Sequence, residues 1–343
     1  MYDYIIVTHL PAFYKVNLYN ALSNKLNIFV VFVSNETSEK RSGDFSSLKE
    51  AKFKYSVLSN HAFQHRNKLK TTYKLFKIIS NTQYKKILLS GWDLPEFWMV
   101  ALLSSNNKNC LALESTIMES NISGAKKRVK QLFLSMVNIV FASGRLHVDL
   151  LKALNYQKEI RVTHGVGIIN KPHFERVEKK YQQKFLFVGR LSKVKNLALL
   201  INVFNQLPMH QLTIIGDGEE KKNLMSVANS NIFFREPIEN SKLKVEFEKN
   251  NFFILPSISE TWGIVVEEAL YFGLPVIVSD HCGASELIIN GINGYIFTNN
   301  KTDELMKIIG DIDNDIYKKL LHNIYESKAE QKDIKQVASY DFS

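Results

Sequence analysis

Short apolar runs recur along the chain, and stretches with helical spacing lie between most of them. Apolar runs bounded by turn residues are typical of parallel strands that are buried on both faces. Their alternation with helices predicts an α/β fold built on doubly wound parallel sheets. In the first half of the chain, strands are predicted at residues 4–7, 28–33, 55–58, 87–89, 110–113, 139–142 and 160–162.

A second sheet is predicted after a polar segment at residues 170–184, which has the composition of a linker. We therefore divide the chain into domains 1–170 and 171–343. The strands predicted in the second domain are 185–188, 212–215, 232–234, 252–255, 276–279 and 295–297. After Asp303 the pattern is helical and charged.

The stretch 254–297 contains the most informative pattern in the chain. A buried strand is followed by a turn that contains Glu260, and a helix is predicted from Ile264 to Phe272, with Glu268 inside it. The first N–H groups of such a helix have no intrahelical acceptor and suit an anion or sugar hydroxyls. Two carboxylates beside these donors predict a site for a polar ligand. Glu267 directly precedes Glu268 and therefore points to another side of the helix. It is predicted to be a solvated surface charge.

A second candidate site is the segment FLFVGRLSKVK, residues 185–195. The strand ends at Gly189, where a missing side chain permits close approach of a ligand. Arg190 and Lys195 follow, and Asn196 is a candidate N-cap for the next helix. Two cations at the end of a strand, beside a helix N-terminus, predict an anion site.

Both motifs resemble those of one enzyme family. The strings P-S-x-x-E-x-W-G-x-x-x-x-E-A-x-x-x-G-x-P-V and V-G-R-L-x-x-x-K-N are similar to segments of the GT4-family retaining glycosyltransferases. The resemblance is specific over residues 184–298. It implies the GT-B fold, in which two Rossmann-like doubly wound domains face each other across a cleft. Relatives usually return to the first domain through a C-terminal helix. Because this chain ends early, we expect that return to be shortened or absent.

The resemblance also implies roles for individual residues. Glu268 would hold the ribose, Glu260 and nearby amides would hold the sugar, and Arg190 and Lys195 would stabilise the leaving diphosphate. Ile238 would contact the nucleotide base. The implied donor-binding residues are Gly189, Arg190, Lys195, Ile238, Glu260, Trp262, Gly263, Ile264, Val265 and Glu268, of which Arg190, Lys195 and Glu260 are also implied in catalysis. We expect a UDP- or GDP-sugar donor, no metal and no cofactor.

The acceptor side is predicted from the first half, where the resemblance is weaker. Relatives often carry glycines after the first strand, whereas this chain has Thr8-His9-Leu10-Pro11-Ala12. His9 is a candidate acceptor contact, with a structural role as the alternative. Glu114 follows a predicted strand, in a loop where many relatives place a histidine. It is a second acceptor-side candidate, with an ordinary loop carboxylate as the alternative.

Basic residues are concentrated in the first half. Residues 1–170 hold 23 Lys and Arg against 11 Asp and Glu, whereas residues 171–343 hold 21 against 23. This asymmetry favours an anionic partner: a membrane surface, a lipid diphosphate or nucleic acid. Residues 65–86 and 126–133 read as basic amphipathic helices, a pattern typical of membrane-surface attachment. The alternative is that their apolar faces pack on the sheet.

Cysteine usage and hydropathy favour a cytoplasmic protein. Cys110 and Cys282 lack metal-ligand spacing and do not suggest a disulfide framework. No signal peptide is visible, and no apolar run approaches the ~18 residues of a membrane span. We expect a peripheral protein on the cytoplasmic face of the membrane.

Together these features and the resemblance predict a glycosyltransferase, which the resemblance implies to be a retaining one. It would move a sugar from a nucleoside diphosphate sugar to a lipid-linked saccharide during surface polysaccharide biosynthesis, such as capsule or O-antigen. One alternative is an enzyme of the same fold that needs no membrane, such as a nucleotide-sugar 2-epimerase or a glucan synthase. Another is a basic nucleic-acid-binding protein, which would not need the predicted phosphate site and for which no aromatic-basic motif is present.

Overall fold

The computed structural model describes residues 1–39, 43–46, 48–176, 179–327 and 330–342. The chain divides into two compact units. The first contains Met1–Asn170 and Glu330–Ser343, and the second contains Lys171–Ala329. The predicted second domain, 171–343, therefore differs from the structure at its end, because the last segment belongs to the first unit.

The first unit is built on a parallel sheet. Within the described ranges it has seven strands, in the order β3-β2-β1-β4-β5-β6-β7. These strands are β1 (Tyr2–Thr8), β2 (Ile28–Ser34), β3 (Lys54–Ser59), β4 (Tyr84–Leu89), β5 (Asn109–Leu113), β6 (Ile139–Ala142) and β7 (Glu159–Val162). The helices that connect them are α1 (Phe13–Ser23), α2 (Lys68–Ser80), α3 (Pro95–Leu103), α4 (Gly124–Ser135) and α5 (Arg145–Ala153).

Apolar side chains cover both faces of this sheet. On β1, Ile5 and Val7 join one buried cluster, whereas Tyr4 and Ile6 join another. Successive side chains of a strand point to opposite faces, so an unbroken apolar run supplies both cores. This is why the predicted strands could be recognised as continuous apolar runs.

The second unit repeats the arrangement. Its described residues form six parallel strands in the order β10-β9-β8-β11-β12-β13. They are β8 (Lys184–Val188), β9 (Gln211–Ile215), β10 (Ile232–Arg235), β11 (Phe252–Leu255), β12 (Val276–Ser279) and β13 (Gly294–Phe297). The helices are α6 (Leu197–Asn205), α7 (Lys221–Val227), α8 (Asn240–Lys249), α9 (Ile264–Tyr271), α10 (Thr302–Asp311) and α11 (Asn314–Glu326).

The predicted strands are confirmed to within a few residues at their ends. The basic stretch 65–86 is a partial exception, because it is not one helix. Only Lys68–Ser80 is helical, and Tyr84 begins strand β4.

The C-terminal segment forms a final helix, α12 (Glu330–Ala338), within the first unit. The Tyr4 hydroxyl donates a hydrogen bond to the Tyr340 carbonyl oxygen at 3.0 Å. The Tyr340 ring stacks on Phe141, with 4.4 Å between centroids, and Phe342 stacks on Tyr4 at 4.8 Å. The return helix that relatives carry is therefore present, contrary to our expectation of a short or absent return.

Candidate active site

Most of the predicted donor-side residues lie in loops at the carboxyl edge of the second sheet, and Ile264, Val265 and Glu268 lie on helix α9, which follows one of these loops. Strand β8 lies between β9 and β11, so the chain order reverses direction at β8. In open α/β sheets, ligands bind at this edge, beside the point of reversal. The segment 189–196 follows β8 and the segment 256–263 follows β11, which places the two predicted motifs next to each other.

Lys195 and Glu260 form an ion pair between these two loops. The Lys195 Nζ contacts Glu260 Oε2, and the two side chains are 17% and 16% exposed. The loops are also joined by their backbones, since the Ile258 N–H donates to the Val194 carbonyl at 2.9 Å. The cation that we expect to bind the diphosphate is thus in contact with the carboxylate that we expect to bind the sugar. Both side chains are part-buried.

Glycines allow the loop after β8 to pack against the loop after β9. Gly216 has φ +152°, and a Cβ there would lie 1.9 Å from the Gly189 carbonyl oxygen. The Leu191 N–H donates to the Asp217 carbonyl at 2.9 Å. A side chain at position 216 would force these backbones apart, so the glycine requirement is strongest there. At Gly189 itself, a Cβ would meet the ring of Phe187 at 3.2 Å.

The other residues of this segment keep the predicted order along the chain. Arg190 is exposed, directly after Gly189. Helix α6 begins after Asn196, as predicted, but the Asn196 side chain makes no capping bond. It has a left-handed conformation, with φ 55°, and its Nδ2 donates to Asn300 Oδ1 at 3.1 Å. Asparagine adopts this conformation more readily than most residues, which explains why it serves here as a turn residue.

The backbone of Glu260 is held by the loop after β12. The Glu260 N–H donates to the His281 carbonyl at 3.1 Å, and the Gly283 N–H donates to the Glu260 carbonyl at 2.9 Å. Gly263 then turns the chain into α9 with φ +89°, a conformation that favours glycine. A Cβ on Gly263 would meet Cys282 Sγ at 3.1 Å. The N–H groups of Ile264 and Val265 belong to the first turn of α9, where a helix offers donors without intrahelical acceptors.

Glu267 is buried, so the prediction of a solvated surface charge is wrong. Its Oε1 accepts a hydrogen bond from the Trp262 indole Nε1 at 2.6 Å, and the Trp262 side chain is buried. A buried indole N–H needs an acceptor, and the carboxylate provides it. The Trp262 ring therefore packs inside the unit. Glu268 is buried as well, one position along the same helix.

We expect Glu267→Leu to lower the free energy of unfolding by about 1 kcal/mol or more, because the Trp262 N–H would lose its acceptor. Glu267→Gln keeps an amide oxygen at that position, so it should lose less. Urea unfolding of both variants measures the difference. Equal losses would show that the hydrogen bond does not stabilise this loop.

Ile238 is half-buried in the loop between β10 and α8. Strand β10 is two strands from β8, which is about 10 Å at the usual spacing. Ile238 therefore lies at the same edge of the sheet as the Lys195–Glu260 pair, but apart from it. Its predicted role as a base contact stays a prediction.

In the first unit, His9 is held by three neighbouring side chains. Its Nε2 lies 3.1 Å from each carboxylate oxygen of Asp93, and its ring contacts Phe63 and Phe97. Burial alone would raise the pKa of Asp93, but the hydrogen bond and charge of His9 lower it below its usual value. His9 thus has a definite structural role, and an acceptor contact stays a prediction.

Glu114 forms an ion pair with a residue that is distant in the sequence. Its Oε1 lies 2.6 Å from Lys15 Nζ on α1. Asp93 and Lys15 were both missed because their partners are far away in sequence. The only local signal was a single lysine in the apolar start of α1, FYKV.

Neither a metal-binding cluster nor a membrane-spanning helix is present among the described residues. These residues contain no group of three or more His, Cys, Asp or Glu side chains arranged to bind a metal ion. None of their helices combines the length and hydropathy that crossing a bilayer requires. The expected absence of a metal stays a prediction.

Comparison with known proteins relates the second unit to one family. Residues 169–331 match the family model described as glycosyl transferases group 1. The sulfoquinovosyl transferase SQD2 of Arabidopsis thaliana is 33% identical over 116 residues, which are 33% of this chain and 23% of that protein. The O-antigen biosynthesis glycosyltransferase WbnH of Escherichia coli is 34% identical over 141 residues, 40% of each chain. The chain thus spans less than half the length of these curated relatives.

A solved structure extends the similarity over both units. The Anabaena protein Alr3699/HepE, solved in complex with UDP and glucose, has a TM-score of 0.72. The match covers 96% of this chain and 95% of that one, at 16% identity. At this identity the similarity shows the fold, and it confirms the predicted GT-B fold.

Proposed function

Residues 169–331 belong to the glycosyl transferases group 1 family, and on that premise we propose that the chain transfers a sugar from a nucleoside diphosphate sugar to a saccharide hydroxyl. The Lys195–Glu260 pair is the observation that carries this proposal. It joins a cation and a carboxylate at the edge of the sheet where such folds bind nucleotides. A donor offers a diphosphate for the cation and sugar hydroxyls for the carboxylate.

The proposed roles of these residues in sugar transfer follow from where negative charge develops during the reaction. As the bond between the sugar and the diphosphate breaks, negative charge grows on the leaving phosphate. Lys195 and Arg190 stabilise that charge, and the first-turn amides of α9 add oriented donors. Glu260 holds the sugar, and Glu268 holds the ribose. The family resemblance supports retention of the anomeric configuration, with the leaving phosphate accepting the proton of the acceptor hydroxyl.

The donor class is also a proposal. The Anabaena structure with UDP and glucose supports a UDP-sugar as the first donor to examine. A GDP-sugar is the second donor to examine. We propose no metal and no cofactor in this reaction.

The acceptor that we propose is a lipid-linked saccharide. The similarity to an O-antigen glycosyltransferase supports a role in surface polysaccharide biosynthesis. A lipid-linked acceptor requires the enzyme to work at a membrane surface. The surface of α2 supports this requirement.

Helix α2 presents two parallel stripes to solvent. Leu69, Tyr73 and Phe76 are exposed at intervals of four and three residues, and Leu69 is 84% exposed. Lys70 and Lys77 flank this apolar stripe and are exposed too. Residues at this spacing share one face of a helix.

The side of α2 that packs inward differs from the side that carries this stripe, because the buried residues of the helix are Thr71 and Leu75. An apolar stripe beside lysines matches the surface of a helix that lies in an anionic membrane interface. The alternative, in which the apolar face packs on the sheet, therefore describes only part of this helix. A membrane-independent epimerase or glucan synthase would not need the exposed stripe.

The roles of the two glutamates are separable by titration. Glu268→Gln should weaken binding of the free nucleoside diphosphate by about 1–2 kcal/mol, because charge-assisted bonds to the ribose are lost. Glu260→Gln should leave that affinity nearly unchanged while it lowers the transfer rate and the discrimination between sugars. Calorimetric titration of UDP and of UDP-glucose against each variant measures both.

Glu246→Gln is a matched control, since this buried glutamate on α8 pairs with Arg235 and Lys249. It should change neither the nucleotide affinity nor the sugar preference. If Glu268→Gln bound nucleotide like the wild type and Glu260→Gln did not, the assignment of the two glutamates would be reversed.

A further inference from the structure

A buried lysine lies at the carboxyl edge of the first sheet. Lys15 is only 5% exposed and projects from α1. Its Nζ contacts Glu114 Oε1 at 2.6 Å and donates to Thr8 Oγ1 at 3.3 Å. Thr8 ends β1 and Glu114 follows β5. The order of the sheet changes direction at β1, so this edge is where ligands of such sheets bind.

Lys15 stays charged in this position. Burial acts to lower the pKa of Lys15, but the charge of Glu114, assisted by Tyr14 and Tyr19, outweighs it and raises the pKa above its usual value. Beside the pair, His147 is buried on α5, and burial lowers its pKa to about 4. The histidine is therefore neutral at ordinary pH, and the pair is an ammonium with a carboxylate.

Stability alone is a weak reason for such a pair. Removing two charges from water carries a large free-energy cost, and apolar side chains of similar volume often stabilise a fold as well or better. The pair is also asymmetric. Lys15 is enclosed, whereas the Glu114 side chain is 34% exposed. The lysine thus fixes one carboxylate oxygen of Glu114, while part of the Glu114 side chain still reaches solvent.

The chemistry of this pair selects its ligand. The charge of Lys15 is already balanced by Glu114, so the pair does not attract a phosphate. A fixed carboxylate instead accepts strong hydrogen bonds from neutral hydroxyls. Asp93, in the loop after the neighbouring strand β4, places a second carboxylate at this edge, beside His9. Neutral hydroxyls close together are the recognition groups of a saccharide.

We propose that Glu114 binds a hydroxyl of the acceptor saccharide and that Lys15 is a positioning residue, which holds the Glu114 carboxylate for that contact. The inference rests on the proposed function, because it names the acceptor subsite of the same enzyme. Lys15 does not touch the saccharide. It acts by fixing the direction of the carboxylate.

The test uses n-octyl glycosides of glucose, galactose and N-acetylglucosamine as probes, with the full chain. Saturation-transfer-difference NMR measures their binding without turnover, and calorimetry measures UDP binding to the same samples. Glu114→Gln keeps the shape of the side chain but loses the charge, so it should weaken binding of the preferred glycoside by about 10-fold or more. Lys15→Met should weaken it by about 5-fold to 10-fold, and both variants should bind UDP like the wild type. Lys25→Met, which removes an exposed lysine just after α1, is the matched control and should change nothing.

Several outcomes would overturn the proposal. One is wild-type glycoside affinity in Glu114→Gln or in Lys15→Met. Another is a parallel loss of UDP and glycoside binding in both variants, which would show that the pair maintains the fold and does not serve an acceptor contact. A wild-type chain that binds UDP but none of the glycosides would overturn this inference and leave the proposed donor chemistry intact. A chain that binds glycosides but no nucleotide would instead contradict the proposed function.

Discussion

Replacing Lys195 by alanine is expected to lower kcat/KM for sugar transfer by about 10-fold to 150-fold. The range corresponds to the loss of one hydrogen bond to a charged group, roughly 1.5–3 kcal/mol. Charge on the diphosphate is larger in the transition state than in the bound donor, so part of the loss should appear in kcat. Steady-state kinetics with varied donor concentration separates the two contributions.

Lys193→Ala is the matched control, because this exposed lysine lies in the same short turn, Lys193–Lys195. It should retain nearly full activity. The variant Lys195→Ala also leaves Glu260 without its ion-pair partner, so the double variant with Glu260→Gln should show strong coupling between the two residues. An unchanged kcat/KM in Lys195→Ala would remove this lysine from the site.

Changing Lys68, Lys70 and Lys77 to glutamine is expected to weaken binding to anionic vesicles by about 100-fold. All three side chains are exposed on α2. Each contributes about 1 kcal/mol near an anionic surface, and the loss should shrink as salt screens the attraction. Co-sedimentation with phosphatidylserine-containing vesicles at two salt concentrations measures both effects.

The same number of charges can be removed elsewhere as a control. Lys222, Lys318 and Lys319 are exposed lysines of the second unit, and their change to glutamine gives the same net charge. That variant should bind vesicles like the wild type. Replacing Leu69, Tyr73 and Phe76 by serine should weaken binding to neutral and anionic vesicles alike, since it removes apolar area. Equal losses from the two lysine sets would show that net charge alone, and not α2, determines binding.

The strands and the order of the two motifs were predictable from sequence for a physical reason. A parallel strand buried on both faces leaves a continuous apolar run, which is visible without any partner. The motifs at Gly189–Lys195 and Glu260–Glu268 follow such runs, so topology places them at one edge of the sheet. Their contact through Lys195 and Glu260 follows from the adjacency of β8 and β11.

The features that were missed depend on contacts between distant residues. Helical periodicity placed Glu267 toward solvent, but the turn at Gly263 brings Trp262 back onto the helix and gives that carboxylate a buried partner. Lys15 and Glu114 are joined only once the sheet has formed. The apolar residues of α2 illustrate the same limit, because spacing predicts that they share a face and does not say which face packs inward.

The proposed donor site is tested most directly by a titration of nucleoside diphosphates and their sugar conjugates against the full chain. UDP, GDP and ADP, each free and as the glucose conjugate, would be titrated by calorimetry against the wild type and the double variant Arg190→Ala/Lys195→Ala. We predict saturable binding of one base class, as free diphosphate and as intact sugar nucleotide, with clearly weaker binding to the double variant. Absence of binding by every nucleotide, or equal affinity in the double variant, would contradict the assignment of a donor site to this unit.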